Sequence, residues 1–432
     1  MDWLPIVVLF ASFFGMLAIG VPIVYAIGLS TLASVATQLP FLAALSVVSQ
    51  KLASGLDSFT LLAIPFFILS GNIMNHGGIA RRLIGLAKVL GGRLPGSLAH
   101  CNILANMLFG AISGSAVASA AAMGGVMHPQ QTKEGYDPAF ATAVNISSAP
   151  TGLLIPPSNT LIVYSLVSGG TSIAALFLAG YVPGILLGLA LMVVVTIMAA
   201  RRGYPRPPRP SFGEVARAIW DSGPSVFLIV IIMGGILGGI FTPTEASAVA
   251  VVYTLLLALV IYREIGVRDL PAILLESVVT TAIVLLLIGA SMGMSWAMSN
   301  ADVPFLILDM LQSISDNPIV ILLIINILLL IIGTFMDMTP AVLIFTPIFL
   351  PVVTEFGMDP IHFGIVMVLN MCIGICTPPV GSVLFVGCSV SKLPINRVIK
   401  PMLPFYAVMV LVLALVTYIP QISMTVPRYL GY

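Results

Sequence analysis

One short motif, Gly-x-x-x-Pro-Pro, occurs twice in the chain at equivalent places in its two halves. The first copy ends at Pro156-Pro157 and the second at Pro378-Pro379, and 379 − 157 gives an offset of 222 residues. The same offset relates Asp137-Pro138 to Asp359-Pro360, since 359 − 137 is also 222. Matches of this length at one offset predict an internal duplication, so the two halves should fold alike.

Long apolar segments decide the solvent in which the two halves fold. Hydrophobic residues make up 59% of the chain and charged residues 8%, against about 25% charged in a typical globular domain. The apolar runs of about 15–28 residues are long enough for helices that span a bilayer. Because backbone groups in lipid must be satisfied internally, we expect an all-α polytopic membrane protein. A porin-type barrel would instead show short alternating segments.

The composition also limits the classes of function. The net charge is +1 with no basic tail or stripe, so nucleic acid is not an expected partner. The chain has no GxxxxGK[ST] motif and no hydrophilic stretch longer than about 20 residues, which leaves no room for an ATPase domain. All four cysteines lie in apolar stretches, and we expect neither a disulfide framework nor a metal site built on them. We therefore expect a membrane protein that is not an enzyme.

The two halves carry opposite charges on equivalent loops. The segment 80–93 contains three arginines and one lysine, whereas 302–316 contains three aspartates and no Lys or Arg. Because basic loops stay cytoplasmic, this contrast predicts an inverted-topology repeat, as in many secondary transporters. We place the first repeat at 1–200, a basic cytoplasmic linker at 201–222 and the second repeat at 223–432.

A count of membrane crossings predicts that one apolar stretch in each half returns to the side it entered. The basic segments 80–93 and 201–217 should both be cytoplasmic, yet three apolar stretches separate them. The stretch 97–128 is divided by a Gly/Ser cluster into two parts that are each too short to span a bilayer. We therefore predict a re-entrant hairpin at about 97–128 and a second one, at the equivalent place, at about 318–350.

The repeated motif predicts one broken helix at about 138–168 and another at about 360–390. A proline inside a helix removes one N–H bond and frees a carbonyl, and paired interrupted helices are typical of a transporter site. Carbonyl and hydroxyl oxygens are hard ligands that suit Na⁺ better than a transition metal. We expect two related sodium sites, each formed by a hairpin tip and a helix break. The predicted ligands are Gly110, Ser113, Gly152, Ile155 and Pro156 in the first site, and Gly333, Gly374, Thr377 and Val380 in the second.

Asp337, at the tip of the second hairpin, is the most unusual polar residue. A carboxylate at mid-membrane costs about 2.5–3.5 kcal/mol on insertion scales, so it should face a cavity, an ion or a helix N-terminus. A helix cap is the structural alternative for Asp337, and a capping box with Thr242 is the role that we predict for Glu245. The candidates for substrate contact at the tips and breaks are Ser115, Ser158, Asn159, Asp337 and Thr339.

These segments resemble the large membrane (M) subunit of the tripartite ATP-independent periplasmic (TRAP) transporters. The resemblance runs across nearly the whole chain in the expected order. The matching segments are SGLDSFTLLAIPFFILSGN at 54–72, SGSAV at 113–117, IPPS at 155–158, GIFTPTEA at 239–246, MDMTP at 336–340 and TPPVG at 377–381.

The resemblance implies a Na⁺-driven importer of a bacterial or archaeal inner membrane, with no organic cofactor. It further implies an elevator-type movement and two protein partners, a small four-helix membrane subunit (Q type) and a soluble periplasmic substrate-binding protein (P type). Family substrates are organic acids such as C4-dicarboxylates, sialic acid, sugar acids or keto acids. The alternative is a self-sufficient Na⁺- or H⁺-coupled organic-anion carrier without a binding protein. The predicted hairpins and broken helices disfavour a non-transporting scaffold. A channel would need a continuous polar lining, and the apolar spans contain few polar residues.

Overall fold

The computed structural model describes residues 3–91, 94–204 and 211–432. Within these ranges the chain is helical and contains no strand, which confirms the prediction of an all-α protein. Arg93 of the basic loop and residues 205–210 of the predicted linker lie outside the described residues.

Twenty α-helices follow one another in the described part of the chain. The first half contains α1 (Leu4–Ala18), α2 (Ile23–Val35), α3 (Phe41–Leu56), α4 (Ala63–His76), α5 (Ile79–Gly91), α6 (Ser97–Ser113), α7 (Ala116–Lys133), α8 (Pro138–Ser148), α9 (Asn159–Val167) and α10 (Ile173–Arg202). The second contains α11 (Phe212–Leu237), α12 (Pro243–Leu255), α13 (Leu270–Asn300), α14 (Val303–Ile314), α15 (Pro318–Phe335), α16 (Met338–Glu355), α17 (Pro360–Gly374), α18 (Ser382–Ser391), α19 (Ile395–Tyr418) and α20 (Gln421–Tyr429).

Eight helical segments of the described chain are long and apolar enough to cross a membrane, judged by length and composition. They are Phe59–His76, Ile173–Arg202, Phe212–Leu237, Pro243–Ile261, Leu270–Asn300, Pro318–Phe335, Met338–Glu355 and Ile395–Tyr418. On their outer faces Val278, Ile283 and Ile331 are each more than half exposed. Exposed apolar surface on this scale fits contact with lipid rather than with water.

Helix boundaries recur between the halves at the offset of the repeated motif. Helix α7 spans Ala116–Lys133 and α16 spans Met338–Glu355, and both ends differ by 222 residues, since 338 − 116 and 355 − 133 give the same value. Helices α8 and α17 both begin at a proline after an aspartate N-cap. One difference stands out, because α3 and α4 are separate helices whereas the equivalent α13 is continuous.

Helices α6 and α7 form a helical hairpin whose free ends lie together. The turn contains Gly114, which has a positive φ of 63° that glycine adopts without a Cβ clash. At the other end, Gln131 Nε2 in the last turn of α7 donates to the carbonyl oxygen of Leu98 in the first turn of α6, at 3.0 Å. Lys88 Nζ of α5 donates to Gln130 Oε1 at 2.7 Å. The chain therefore enters and leaves this hairpin at the same end.

The two halves share one core of buried apolar residues. Fully buried aromatic side chains from both halves, such as Phe109 and Phe363, belong to it. Polar contacts also cross between the halves, since the Tyr164 hydroxyl of α9 donates to the carbonyl oxygen of Pro360 at the start of α17, at 2.6 Å. These contacts hold the broken helices of the two halves side by side.

Candidate substrate and sodium sites

Each half contains one interrupted helix. In the first half α8 ends at Ser148, a 3-10 turn covers Ala149–Leu153, and α9 begins at Asn159. In the second half the helix stops at Gly374 and resumes at Ser382. The Pro156-Pro157 and Pro378-Pro379 peptide bonds inside these interruptions are both cis. The two breaks therefore lie at equivalent places in the fold.

A pair of glycines brings each break into close contact with the hairpin of its own half. A Cβ atom added to Gly110 of α6 would lie 3.0 Å from the Cα of Gly152. In the second half, a Cβ added to Gly374 would lie 2.6 Å from the Cα of Gly333 in α15. A larger residue would push the hairpin away from the break. Four of the residues predicted as sodium ligands thus meet in two matching backbone contacts.

The oxygens at the first break differ in their hydrogen bonding. The carbonyl oxygen of Gly110 accepts a bond from Gly114 N at 2.9 Å. In the described ranges no hydrogen bond reaches the carbonyl oxygens of Ile155 and Pro156. Ser113 Oγ is buried, and nothing in the described part of the chain bonds to it. Ile155, Pro156 and Ser113 therefore keep oxygen lone pairs that a cation could use.

The second break is tied to its hairpin by the backbone. Val380 N donates to the carbonyl oxygen of Thr334 at 3.2 Å, and Thr377 N donates to that of Gly374 at 2.8 Å. The Thr377 hydroxyl donates to the carbonyl oxygen of Ile373 at 2.7 Å. A hydroxyl that donates its hydrogen still has lone pairs for a cation. The hydrogen bond also fixes the direction in which those lone pairs point.

A cavity of about 460 Å³ lies where both hairpin tips meet the start of α9. This volume falls within the range of about 300–1,000 Å³ that is usual for small-molecule sites. Of the predicted site residues, those that line the cavity are Ser113, Ser115, Asn159, Asp337 and Thr339. Ser158 is not among the lining residues. It is buried, and its hydroxyl accepts from Leu161 N at 3.5 Å as the N-cap of α9.

Asp337 precedes α16 but its carboxylate makes no capping hydrogen bond to that helix. Its Oδ1 atom accepts instead from Ser382 Oγ at the start of α18, at 3.2 Å. Glu245 behaves differently, because its Oε2 accepts from Thr242 N at 2.8 Å and Thr242 Oγ1 accepts from Glu245 N at 3.3 Å. The predicted capping box at Glu245 is confirmed, whereas Asp337 lines the cavity and does not cap α16.

Part of the cavity wall comes from α4 and α13, which the sequence analysis did not single out. Asn72 and Asn75 of α4 line it, together with Glu276, Thr280 and Val284 of α13. The last three recur at every fourth position and so lie on one face of the helix. An ionisable residue inside a long apolar helix marks a functional site by default, and this signal would have identified Glu276.

The comparisons with known proteins agree on one family. The family model described as "Tripartite ATP-independent periplasmic transporter, DctM component" matches residues 10–422. The chain is 65% identical to the uncharacterized protein YgiK of Salmonella typhimurium, over 98% of this chain and 97% of that one. It is 43% identical to the C4-dicarboxylate TRAP transporter large permease protein DctM of Pseudomonas aeruginosa, over 88% and 89% of the two chains.

A third relative and one solved structure complete the comparison. The chain is 41% identical to the sialic acid TRAP transporter large permease protein SiaM of Vibrio cholerae, over 90% of this chain and 91% of that one. The fold is similar to that of the YdaH transporter of Alcanivorax borkumensis, with a TM-score of 0.67 over 90% of each chain at 13% identity. That likeness concerns the fold alone.

Proposed function

Since the chain belongs to the DctM-component family of tripartite ATP-independent periplasmic transporters, we propose that it imports an organic acid by symport with Na⁺. It is a multi-pass permease of the inner membrane. Large permeases of this family work with a small membrane subunit and a periplasmic substrate-binding protein. Because the family is ATP-independent, an ion gradient has to supply the energy for uphill import.

The observation that carries this proposal is the meeting of both hairpin tips at one cavity. Ser115 of the first tip and Asp337 of the second line the same space, together with Asn159 from the end of the first break. A site built from both repeats can respond to a movement of either one. The organic-acid class follows the relatives named for C4-dicarboxylates and sialic acid.

Sodium coupling is supported by the oxygen atoms at the two breaks. The first site takes its ligands from Gly110, Ser113, Gly152, Ile155 and Pro156, and the second from Gly333, Gly374, Thr377 and Val380. The Gly110–Gly152 and Gly333–Gly374 contacts bring backbone of the hairpin and the break together in each half. Backbone carbonyls at unwound helix segments are the usual ligands of coupling ions in transporters.

We further propose that the two repeats are inverted and that both hairpins are re-entrant. The Gln131–Leu98 hydrogen bond fits a hairpin that returns to the side it entered. Re-entrance is the assignment we propose for both hairpins, although Pro318–Phe335 and Met338–Glu355 are each long enough to cross a membrane. Arg82 of α5, in the basic segment 80–93, lies 3.3 Å from Glu264, which follows α12, so these two segments share one side. In an elevator movement, the hairpins and breaks would slide as one block past the wall formed by α4 and α13.

Reconstitution of the complete system tests the proposal. The permease, its small subunit and the cognate binding protein in liposomes should accumulate an organic acid only with an inward Na⁺ gradient. Omission of the binding protein should abolish uptake. Full uptake without it would instead support the self-sufficient carrier. Uptake driven by a pH gradient in the absence of Na⁺ would contradict sodium symport.

A further inference from the structure

We infer that the permease carries its own substrate filter, in which Glu276 rejects a second carboxylate and selects a monocarboxylate with hydroxyl groups at its other end. This inference rests on the proposed function and deepens it. The groups that line the 460 Å³ cavity differ in charge from one wall to another.

One part of the cavity suits a single carboxylate. Helices α7 and α9 both begin there, since Ser115 is the N-cap of α7 and Asn159 is the first residue of α9. Helix N-termini present free N–H groups and a positive partial charge to an anion. Ser113 Oγ, which is buried and makes no hydrogen bond to the described residues, is a further donor at this tip.

The wall on α13 has the opposite character. Glu276, Thr280 and Val284 form a row that extends over eight residues, or about 12 Å of helix. The Glu276 side chain is half exposed, at 52%, and Asn72 and Asn75 line the same cavity. His76 Nε2 is 3.9 Å from Glu276 Oε2, and an ion pair this long and this exposed is weak. The carboxylate therefore remains available to the cavity.

A carboxylate accepts hydrogen bonds and cannot donate them when it is ionised. A hydroxyl group of the substrate can donate to Glu276, whereas a second carboxylate would meet two like charges, those of Glu276 and Asp337. A like charge about 4 Å away weakens binding roughly fivefold even in a water-like medium, so two such charges account for at least a tenfold loss. Asn72 Nδ2 donates one hydrogen to Ser277 Oγ at 2.9 Å. Its second amide hydrogen and its carbonyl, with the amide of Asn75, can donate to and accept from hydroxyl groups.

The selectivity of the cavity for different acids can be measured on the permease without the binding protein. Ala121 of α7 lines the cavity and is exposed, so an Ala121→Cys reporter in a background lacking the four native cysteines should react with a maleimide. The permease with its small subunit, in saturating Na⁺, is then titrated with D-gluconate, succinate or hexanoate. We expect gluconate to protect the reporter at concentrations at least tenfold lower than either of the other acids.

Two variants locate the effect. Glu276→Gln removes the charge and keeps the shape. It should reduce the ratio of the protective concentrations of succinate and gluconate at least threefold. Glu355→Gln is the control, at an exposed position at the end of α16 outside the cavity. It should leave this concentration ratio unchanged. Equal protection by succinate and gluconate in the parent protein, or an unchanged ratio in Glu276→Gln, would overturn the inference.

The remaining outcomes separate this inference from the proposed function. If succinate protects the reporter more strongly than gluconate does, and only with Na⁺, the proposed selectivity of Glu276 is refuted. Sodium symport would remain supported. Protection by serine but not by gluconate would assign Glu276 to an ammonium group and overturn the hydroxyl assignment. If none of the acids protects the reporter and the complete system accumulates no organic acid on a Na⁺ gradient, both proposals fall.

Discussion

Cys372 Sγ donates to the carbonyl oxygen of Pro150 at 3.4 Å, although the two residues are 222 positions apart. This separation equals the offset of the repeat, so each residue touches its own counterpart in the other half. In a two-fold arrangement only residues beside the axis can do so. In the inverted repeat that we propose, the axis relating the two halves would therefore pass between the two broken helices, next to the start of the first break.

Loop accessibility is the test of inverted topology. Leu90 of α5 and Met310 of α14 are equally exposed, at 62% each, and they lie in the two helical segments of opposite charge. In a background without the native cysteines, Leu90→Cys should react only from the cytoplasm and Met310→Cys only from the periplasm, as measured with an impermeant maleimide. Labelling of both from one side would end the inverted-repeat argument.

The carboxylates of Asp337 and Glu245 should differ in their effect on transport. Asp337→Asn should lower initial uptake at least tenfold, because Asp337 lines the cavity and bonds to Ser382. Glu245→Gln should keep most of the uptake, because glutamine can also complete a capping box with Thr242. Uptake per folded protein checks the comparison, and equal losses in the two variants would refute the distinction.

Removal of the Thr377 hydroxyl should weaken sodium binding at the second site alone. Thr377→Val keeps the shape of the side chain and loses one oxygen, a contact worth on the order of 1 kcal/mol, or roughly a fivefold change in Na⁺ affinity. Uptake measured against Na⁺ concentration should shift to higher values and recover at saturation. An unchanged Na⁺ dependence with normal uptake would leave only backbone ligands at that site.

The close contact of each glycine pair can be tested with a single methyl group. Gly374→Ala would place a Cβ 2.6 Å from the Cα of Gly333, and we expect at least a tenfold loss of Na⁺-driven uptake. Gly125→Ala is the matched control, because a Cβ on this helical glycine of α7 would meet no atom within 4 Å. Wild-type uptake in Gly374→Ala would show that the hairpin does not need this contact.

The sequence predicted those parts of the site whose residues recur in both halves of the chain. Gly152 and Gly374 were identifiable because a close backbone approach requires glycine and recurs at one offset. The duplication does not mark Glu276, since its counterpart at that offset, 276 − 222, is Ser54. The signal that marks it is a charge inside a long apolar helix. The position of Asn72 beside the hairpin tips depends on the packing of α4 against helices far away in the chain, which periodicity does not specify.

Helices α3 and α4 are separate, whereas the equivalent α13 is continuous. The two halves are therefore not identical around the substrate cavity. A site with perfect two-fold symmetry would offer the same contacts to both ends of a ligand. Here Asn72 and Asn75 have Met294 and Ala297 as their counterparts, at 72 + 222 and 75 + 222. Asn72 and Asn75 line the cavity, whereas Met294 and Ala297 are buried and are not among its lining residues. The cavity wall is therefore asymmetric, which favours one orientation of an asymmetric ligand.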